Sequence, residues 1–274
     1  FSRQGNRHLL TTARVWKART LAALGDSVQS EFVLVQALAA PSRESTPLEL
    51  GDYAALQGDI ASIHCAWRDA SRLFLAAAGI FEGAGLLWRE RLARLRHIQA
   101  EASEGGSVPE RVKNAWESLM SLKAPVEGMG SLWLDLEWHK AHALLLSCAE
   151  AHGNRTPEAL LAWGEVLSAA RTVRFPALVL EASAAGAALL LENGERLGAR
   201  SRLQDAFSSY QEIWSRLPEA HGMSFLGRSD MHRFRQAVEA SGLRFILPER
   251  VEPLADWTPT QATQPPVDSR RGAS

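Results

Sequence analysis

The sequence predicts an all-α protein: an α-solenoid of about five antiparallel helical hairpins, ended by a C-terminal cap helix and a disordered tail. Three observations carry this. Long stretches rich in Ala, Leu, Arg and Glu favour helix, and no run of β-branched residues alternates as a strand does. Breakers containing Gly or Pro divide the chain at intervals that pair the helices. The paired segments also share one spacing of large and small apolar residues about a glycine.

In chain order, Arg7–Leu24 ends at Gly25-Asp26, and Val28–Ala40 ends at Pro41-Ser42. A shorter helix over Leu48–Gln57 meets Gly58-Asp59, where a turn is predicted, and Ile60–Ala78 follows. Glu82–Ala102 stops at Gly105-Gly106, and Pro109 stands where a first helical turn tolerates proline. Val112–Leu122 is expected to end before Pro125, and Leu132–Ala151 at Gly153-Asn154. Thr156-Pro157-Glu158 supplies an N-cap, a first-turn proline and a first-turn acid to the next helix. Pro176–Glu192 ends at Asn193-Gly194, and Leu197–Arg216 ends before Pro218.

The hairpins resemble one another. A large apolar residue follows the glycine by 9 positions and an alanine by 12: Leu34 and Ala37 after Gly25, Trp67 and Ala70 after Gly58, Leu203 and Ala206 after Gly194. Ala18 and Ala187 stand seven residues before Gly25 and Gly194, and Ala199 five after Gly194. Small residues flanking a glycine turn are what two antiparallel helices need to approach closely. The intervals from Ala37 to Ala70 and from Ala169 to Ala206 are 33 and 37 residues.

On this basis residues 1–216 form the repeat array, 217–250 the capping helices and 251–274 the tail. Met231, Phe234 and Val238 fall on one helical face and are expected to bury the cap, with His232, Arg233 and Arg235 outward. Past Pro253 the chain turns to Thr, Gln, Pro and Ser, too polar to offset its own chain entropy.

The spacing matches the ~34-residue period of the tetratricopeptide repeat. More specifically, the segments at 69–84, 170–182 and 192–200, with Trp214-Ser-Arg-Leu-Pro-Glu-Ala and Phe225-Leu-Gly-Arg-Ser-Asp, resemble the superhelical tetratricopeptide arrays of bacterial multidomain regulators. Such arrays lie C-terminal to ATPase or Ser/Thr kinase modules and serve as sensing or docking platforms. The resemblance covers residues 8–241 and implies that catalysis belongs to other domains. The start at Phe1 rather than Met fits a piece of a longer protein.

Composition narrows the functional classes. Thirty Lys and Arg against thirty-one Asp and Glu leave a charge of −1 over 274 residues, so no global field recruits nucleic acid or an anionic membrane. No apolar run approaches a membrane span, and no signal segment opens the chain. Two cysteines, Cys65 and Cys148, make no disulfide framework and fit a reducing, cytoplasmic setting.

No catalytic constellation stands out. His139 and His142 share one side of a helix, but the spacing of a zinc-protease motif is absent, and Cys148 and His152 fall off that face. Interhelical histidines are expected, with no metal and no cofactor. Cys65 reads as a small buried packing residue. No P-loop, kinase glycine loop, helix-turn-helix or Gly-x-Ser-x-Gly occurs.

Nine tryptophans against two tyrosines is a heavy load, and most are expected to wedge between helices, with one or two on the concave face. On Trp88–His97, Arg89 and Arg96 lie seven apart on one face, while Glu90 can pair with Arg94. Trp88, Arg89 and Arg96 are therefore the candidate groove stripe for an acidic segment of a protein or peptide partner, or for a neighbouring domain.

The expected function is a non-catalytic docking platform in a bacterial signalling or transcriptional regulator. The alternative is a small-molecule sensor that relays occupancy to attached modules. A deep pocket walled by tryptophans would favour the sensor, and an open polar groove would favour docking.

Overall fold

The computed structural model describes residues 5–38, 46–104, 109–150 and 156–245. Among these the chain is all-α, and its helices pack mainly on their neighbours in sequence, as in a helical repeat array. They are α1 (Gly5–Ala23), α2 (Ser27–Leu38), α3 (Pro47–Ile63), α4 (Trp67–Gly83), α5 (Leu87–Glu104), α6 (Pro109–Glu127), α7 (Leu132–Glu150), α8 (Thr156–Thr172), α9 (Pro176–Glu192), α10 (Arg196–Arg216), α11 (Gly222–Leu226) and α12 (Ser229–Ala240). A 3₁₀ turn, Glu219–His221, precedes α11. The expected tail at 251–274, the end of the cap at 246–250 and the breakers at 41–42, 105–106 and 153–154 lie outside the described residues.

Local chemistry sets the ends. Thr46 and Glu49 form a capping box at the start of α3, with Pro47 in the first turn. Half of the helices end in one motif, in which a residue of positive φ lets the chain reverse. Gly25, Gly85, Gly194 and Gly242 take that place, and so do two non-glycines, Cys65 (φ 56°) and Arg174 (φ 54°). At each, the following amide reaches back five residues, as from Asp26 to the Leu21 carbonyl and from Ala66 to Ala61.

Three expectations need correction. Gly58 is no turn: α3 runs through it, and the reversal comes at Cys65. One interior glycine costs a helix only ~1 kcal/mol, and here it admits the Phe74 ring. Cys65 is accordingly exposed rather than packed. Pro125 lies inside α6, which runs on to Glu127 although the proline forfeits one backbone bond, and Val126 is buried just beyond it.

The core is a chain of apolar patches between successive hairpins. Ala18, Ala37, Ala70, Ala187, Ala199 and Ala206 are all buried at helix crossings. Met231, Phe234 and Val238 bury the inner side of α12 in the cluster formed by α9 and α10.

The two ends of the array meet. Leu24 packs on that C-terminal cluster, and the Arg228 guanidinium donates to the Ala23 carbonyl at the end of α1. Asp26 Oδ2 lies 3.4 Å from His221 Nδ1. The Gly25 Cα sits directly beneath the Ser224 carbonyl, where a Cβ would overlap it. The superhelix therefore curls until its first turn touches its last segment. No helix among the described residues is long and apolar enough to cross a membrane.

Candidate functional site

Curling the array surrounds a central cavity of about 760 Å³ that stays partly open to solvent, within the size range of small-molecule sites. Helices α1, α3, α5, α7 and α9 present their inner faces to it, α12 closes it, and α2, α6 and α8 contribute no described residue.

A belt of ion pairs crosses from each inner helix to the next. Asp52 of α3 accepts from Arg19 of α1 (3.0 Å) and from Arg89 of α5. Arg96 of α5 donates to Asp59 of α3 (2.7 Å) and lies 3.9 Å from Glu137 of α7, which also receives Gln99 (2.7 Å). Lys140 of α7 binds Glu181 of α9 (2.8 Å). At the closing edge Arg228 grips Asp230 with two bonds, of 2.9 and 2.8 Å.

Burial and pairing compete in this belt. For Asp59 burial dominates and raises its pKa, although Arg96 and Arg19 oppose it. For Asp230 burial also favours the neutral acid, but Arg228 outweighs it and holds the carboxyl below its usual range. Burial works against the Lys140 ammonium, yet Glu181 and Glu137 more than restore it.

Aromatic rings frame one mouth. Trp88, Trp133 and Phe175 stand at the N-terminal ends of three successive inner helices, each a little over a third exposed. Trp133 and Phe175 touch, with centroids 5.5 Å apart, and the Trp88 indole donates to Ser131 Oγ at 3.1 Å. Trp16 of α1 is 58% exposed and also faces the cavity.

Trp88, Arg89 and Arg96 thus all line the cavity. The two arginines, however, are already held by carboxylates of this chain. Glu90 pairs with Arg94 as the spacing indicated. Arg233, expected outward, lines the cavity instead. Among the described residues four tryptophans line it rather than one or two: Trp16, Trp67, Trp88 and Trp133. Trp138, Trp163 and Trp214 are the buried wedges.

The partners of Arg89 and Arg96 were missed, though a signal for them exists. From Arg19 to Asp52 is 33 residues, from Asp52 to Arg89 and from Asp59 to Arg96 37, and from Arg96 to Glu137 and Lys140 to Glu181 41. These are repeat periods: opposite charges one repeat apart meet on neighbouring inner helices.

Elsewhere, His142 lies between Trp116 and Trp138, with ring centroids 5.3 and 5.1 Å away, and burial lowers its pKa. His139 pairs with Glu165 at 3.4 Å. Cys148 donates to the Ala102 carbonyl, and burial raises its pKa. Ser71 of α4 contacts both His97 Nδ1 (3.0 Å) and Glu101 of α5. These three residue types suit nucleophilic catalysis, but the serine is buried, gives its proton directly to the carboxylate and does not line the cavity. No group of metal-ligand residues assembles among the described residues.

No family model matches the chain, and no curated protein or solved structure matches it at a significant level.

Proposed function

We propose that this chain is a non-catalytic, tetratricopeptide-like ligand-binding module of a bacterial signalling or transcriptional regulator, and that a small effector occupies its lumen. The observation that carries the reading is the central cavity of about 760 Å³, lined by Trp16, Trp67, Trp88 and Trp133 together with a belt of paired charges. The contact of Arg228, Ser224 and His221 with the α1–α2 turn supplies a route for relay. A ligand that spreads or tightens the inner helices must shift that contact, because both ends hang on the same ring.

The test is hydrogen exchange on the chain with a bacterial extract divided into fractions below and above ~1 kDa. The low-mass fraction is expected to raise the melting midpoint and slow exchange in α1, α3, α5, α7 and α9. Protection produced only by the high-mass fraction, and confined to outer helices, would overturn the reading.

One observation favours a second reading, a docking platform for a protein partner. Val28, Phe32 and Val35 form an apolar stripe on the outer side of α2 and are 73, 58 and 56% exposed. A partner helix seated there would slow exchange in α2 alone.

A further inference from the structure

We infer that the mouth of the lumen contains an anion-binding subsite, made by Arg19 and Arg89 with Trp16 and Trp88, for a ligand that joins a flat aromatic body to a carboxylate. This rests on the lumen reading above.

Arg19 and Arg89, from α1 and α5, converge on one oxygen, Asp52 Oδ1. One carboxylate offsets one of their two charges. Each guanidinium carries five N–H donors, and the shared oxygen takes one from each. No other carboxylate among the described residues comes within ion-pair distance of either arginine. Both line the cavity and both keep about a quarter of their side-chain surface exposed. Deeper in the lumen the balance differs: Arg96 lies between two carboxylates, and Lys140 and Arg228 each hold one. Arg19 and Arg89 therefore leave one surplus positive charge at the mouth, while Arg233 of α12, with no carboxylate within ion-pair distance among the described residues, places another elsewhere in the lumen.

Ring surfaces adjoin that surplus. The Arg19 guanidinium carbon stands 5.5 Å from the Trp16 ring centroid. Trp88 directly precedes Arg89, and its N–H is already taken by Ser131, so its interaction left to offer is through the ring. A planar carboxylate paired with paired guanidiniums gains charge-assisted bonds, and its aromatic body gains stacking area. Neither a neutral ring nor a small aliphatic acid would use both.

The probe is 2-naphthoate, set against 2-naphthylmethanol, which keeps the rings without the charge, and cyclohexanecarboxylate, which keeps the charge without the rings. Binding is read on the full chain by calorimetry and tryptophan fluorescence. Naphthoate is expected to bind at least tenfold more tightly than either control. Arg89→Gln is expected to erase its advantage over the alcohol, and Trp88→Leu its advantage over the aliphatic acid. Asp52→Asn removes the internal competitor and is expected to tighten naphthoate several-fold, a gain that a purely structural ion pair would not give. This variant also keeps the test decisive if Arg89→Gln does not fold.

Equal binding of naphthoate and the alcohol, no naphthoate binding, or unchanged affinity in folded Asp52→Asn would overturn the inference. So would a loss confined to Arg233→Gln, a lumen cation without a carboxylate partner among the described residues. Alcohol binding that Trp88→Leu abolishes would leave the lumen reading standing without the anion subsite. Protection of outer helices alone, in the exchange experiment, would remove the lumen reading itself.

Discussion

The Phe74 ring lies against Gly58 so closely that a methyl group on the glycine would stand 2.7 Å from Phe74 Cε1. Seven residues away on each helix the contact recurs, with Phe81 on Gly51. The sums of the paired numbers agree, as antiparallel helices require. Two glycines of α3 therefore serve as sockets for two phenylalanines of α4, and the register of this hairpin is set by their shape.

Gly58→Ala is accordingly expected to destabilise the chain. Overpacking typically costs ~1–3 kcal/mol, more than the ~1 kcal/mol that alanine returns in helix propensity. Gly79→Ala, in α4 with nothing within 4 Å of the new methyl, is expected to stabilise by about 0.5–1 kcal/mol. Urea unfolding of the two variants checks the sign difference. Stabilisation by both would remove the socket argument.

Much of the architecture was legible because helix propensity and breakers act locally. Pro176 and Glu192 bound α9 as the residues indicated, and Ala199 and Ala206 are buried where the glycine offsets placed them. What failed was the assumption that glycine means turn. Gly58 serves a neighbour that its own segment does not reveal, while Cys65 and Arg174 turn the chain without being glycine. Of the candidate site, the stripe Trp88, Arg89 and Arg96 was readable from spacing within one helix. Its carboxylates were not, because Asp52, Asp59 and Glu137 reach it only through superhelical stacking. The closure of the array depends on a small curvature accumulated over all the hairpins, which no local pattern encodes.

The closing contact can be weighed against turn strain. Gly25 and Gly194 have nearly the same positive φ, 80° and 79°. Alanine at either position strains the backbone by ~1–2 kcal/mol. At Gly194 the methyl enters open space, whereas at Gly25 it strikes the Ser224 carbonyl. Gly25→Ala is expected to lose more stability than Gly194→Ala and to speed hydrogen exchange in Gly222–Leu226. It should also enlarge the radius of gyration by small-angle scattering. Equal effects of the two substitutions would mean that the ends do not hold one another.

Removing the Arg96 guanidinium leaves Asp59 with its burial and with fewer opposing charges. Burial already raises the Asp59 pKa, so in Arg96→Gln it rises further. A carboxyl whose folded pKa exceeds its unfolded value imposes a penalty that is absent below the unfolded pKa. That penalty grows as pH rises through the folded pKa. Arg96→Gln is therefore expected to be most destabilising near pH 7 and progressively less so as pH falls toward the ordinary aspartate range. Asp59→Asn placed in the same chain is expected to restore part of the loss at pH 7. Denaturant melts across this range check both signs, and a cost independent of pH would assign Arg96 a packing role instead.

His142 gives a pH response of opposite sense. Its ring lies between Trp116 and Trp138, nearly parallel to the latter at 24°. Burial is the first cause of its lowered pKa; His139 and Lys123 act in the same direction, and Glu165 opposes them. With the folded pKa below the unfolded value, the unfolded chain takes up a proton that the native ring resists. Stability is thus unaffected well above the ordinary histidine range and falls as pH drops through about 6.5 toward the folded pKa. His142→Phe keeps a flat ring between the indoles and removes the proton site. Its melting midpoint is expected to fall less than that of the unmodified chain between pH 7.5 and 5.5. His139→Gln, which removes an exposed partner of Glu165 rather than a stacked ring, is expected to leave most of the fall in place. Scanning calorimetry at the two pH values separates these outcomes. If His142→Phe and the unmodified chain lose the same number of degrees, the stacked imidazole is not the group that couples protonation to unfolding.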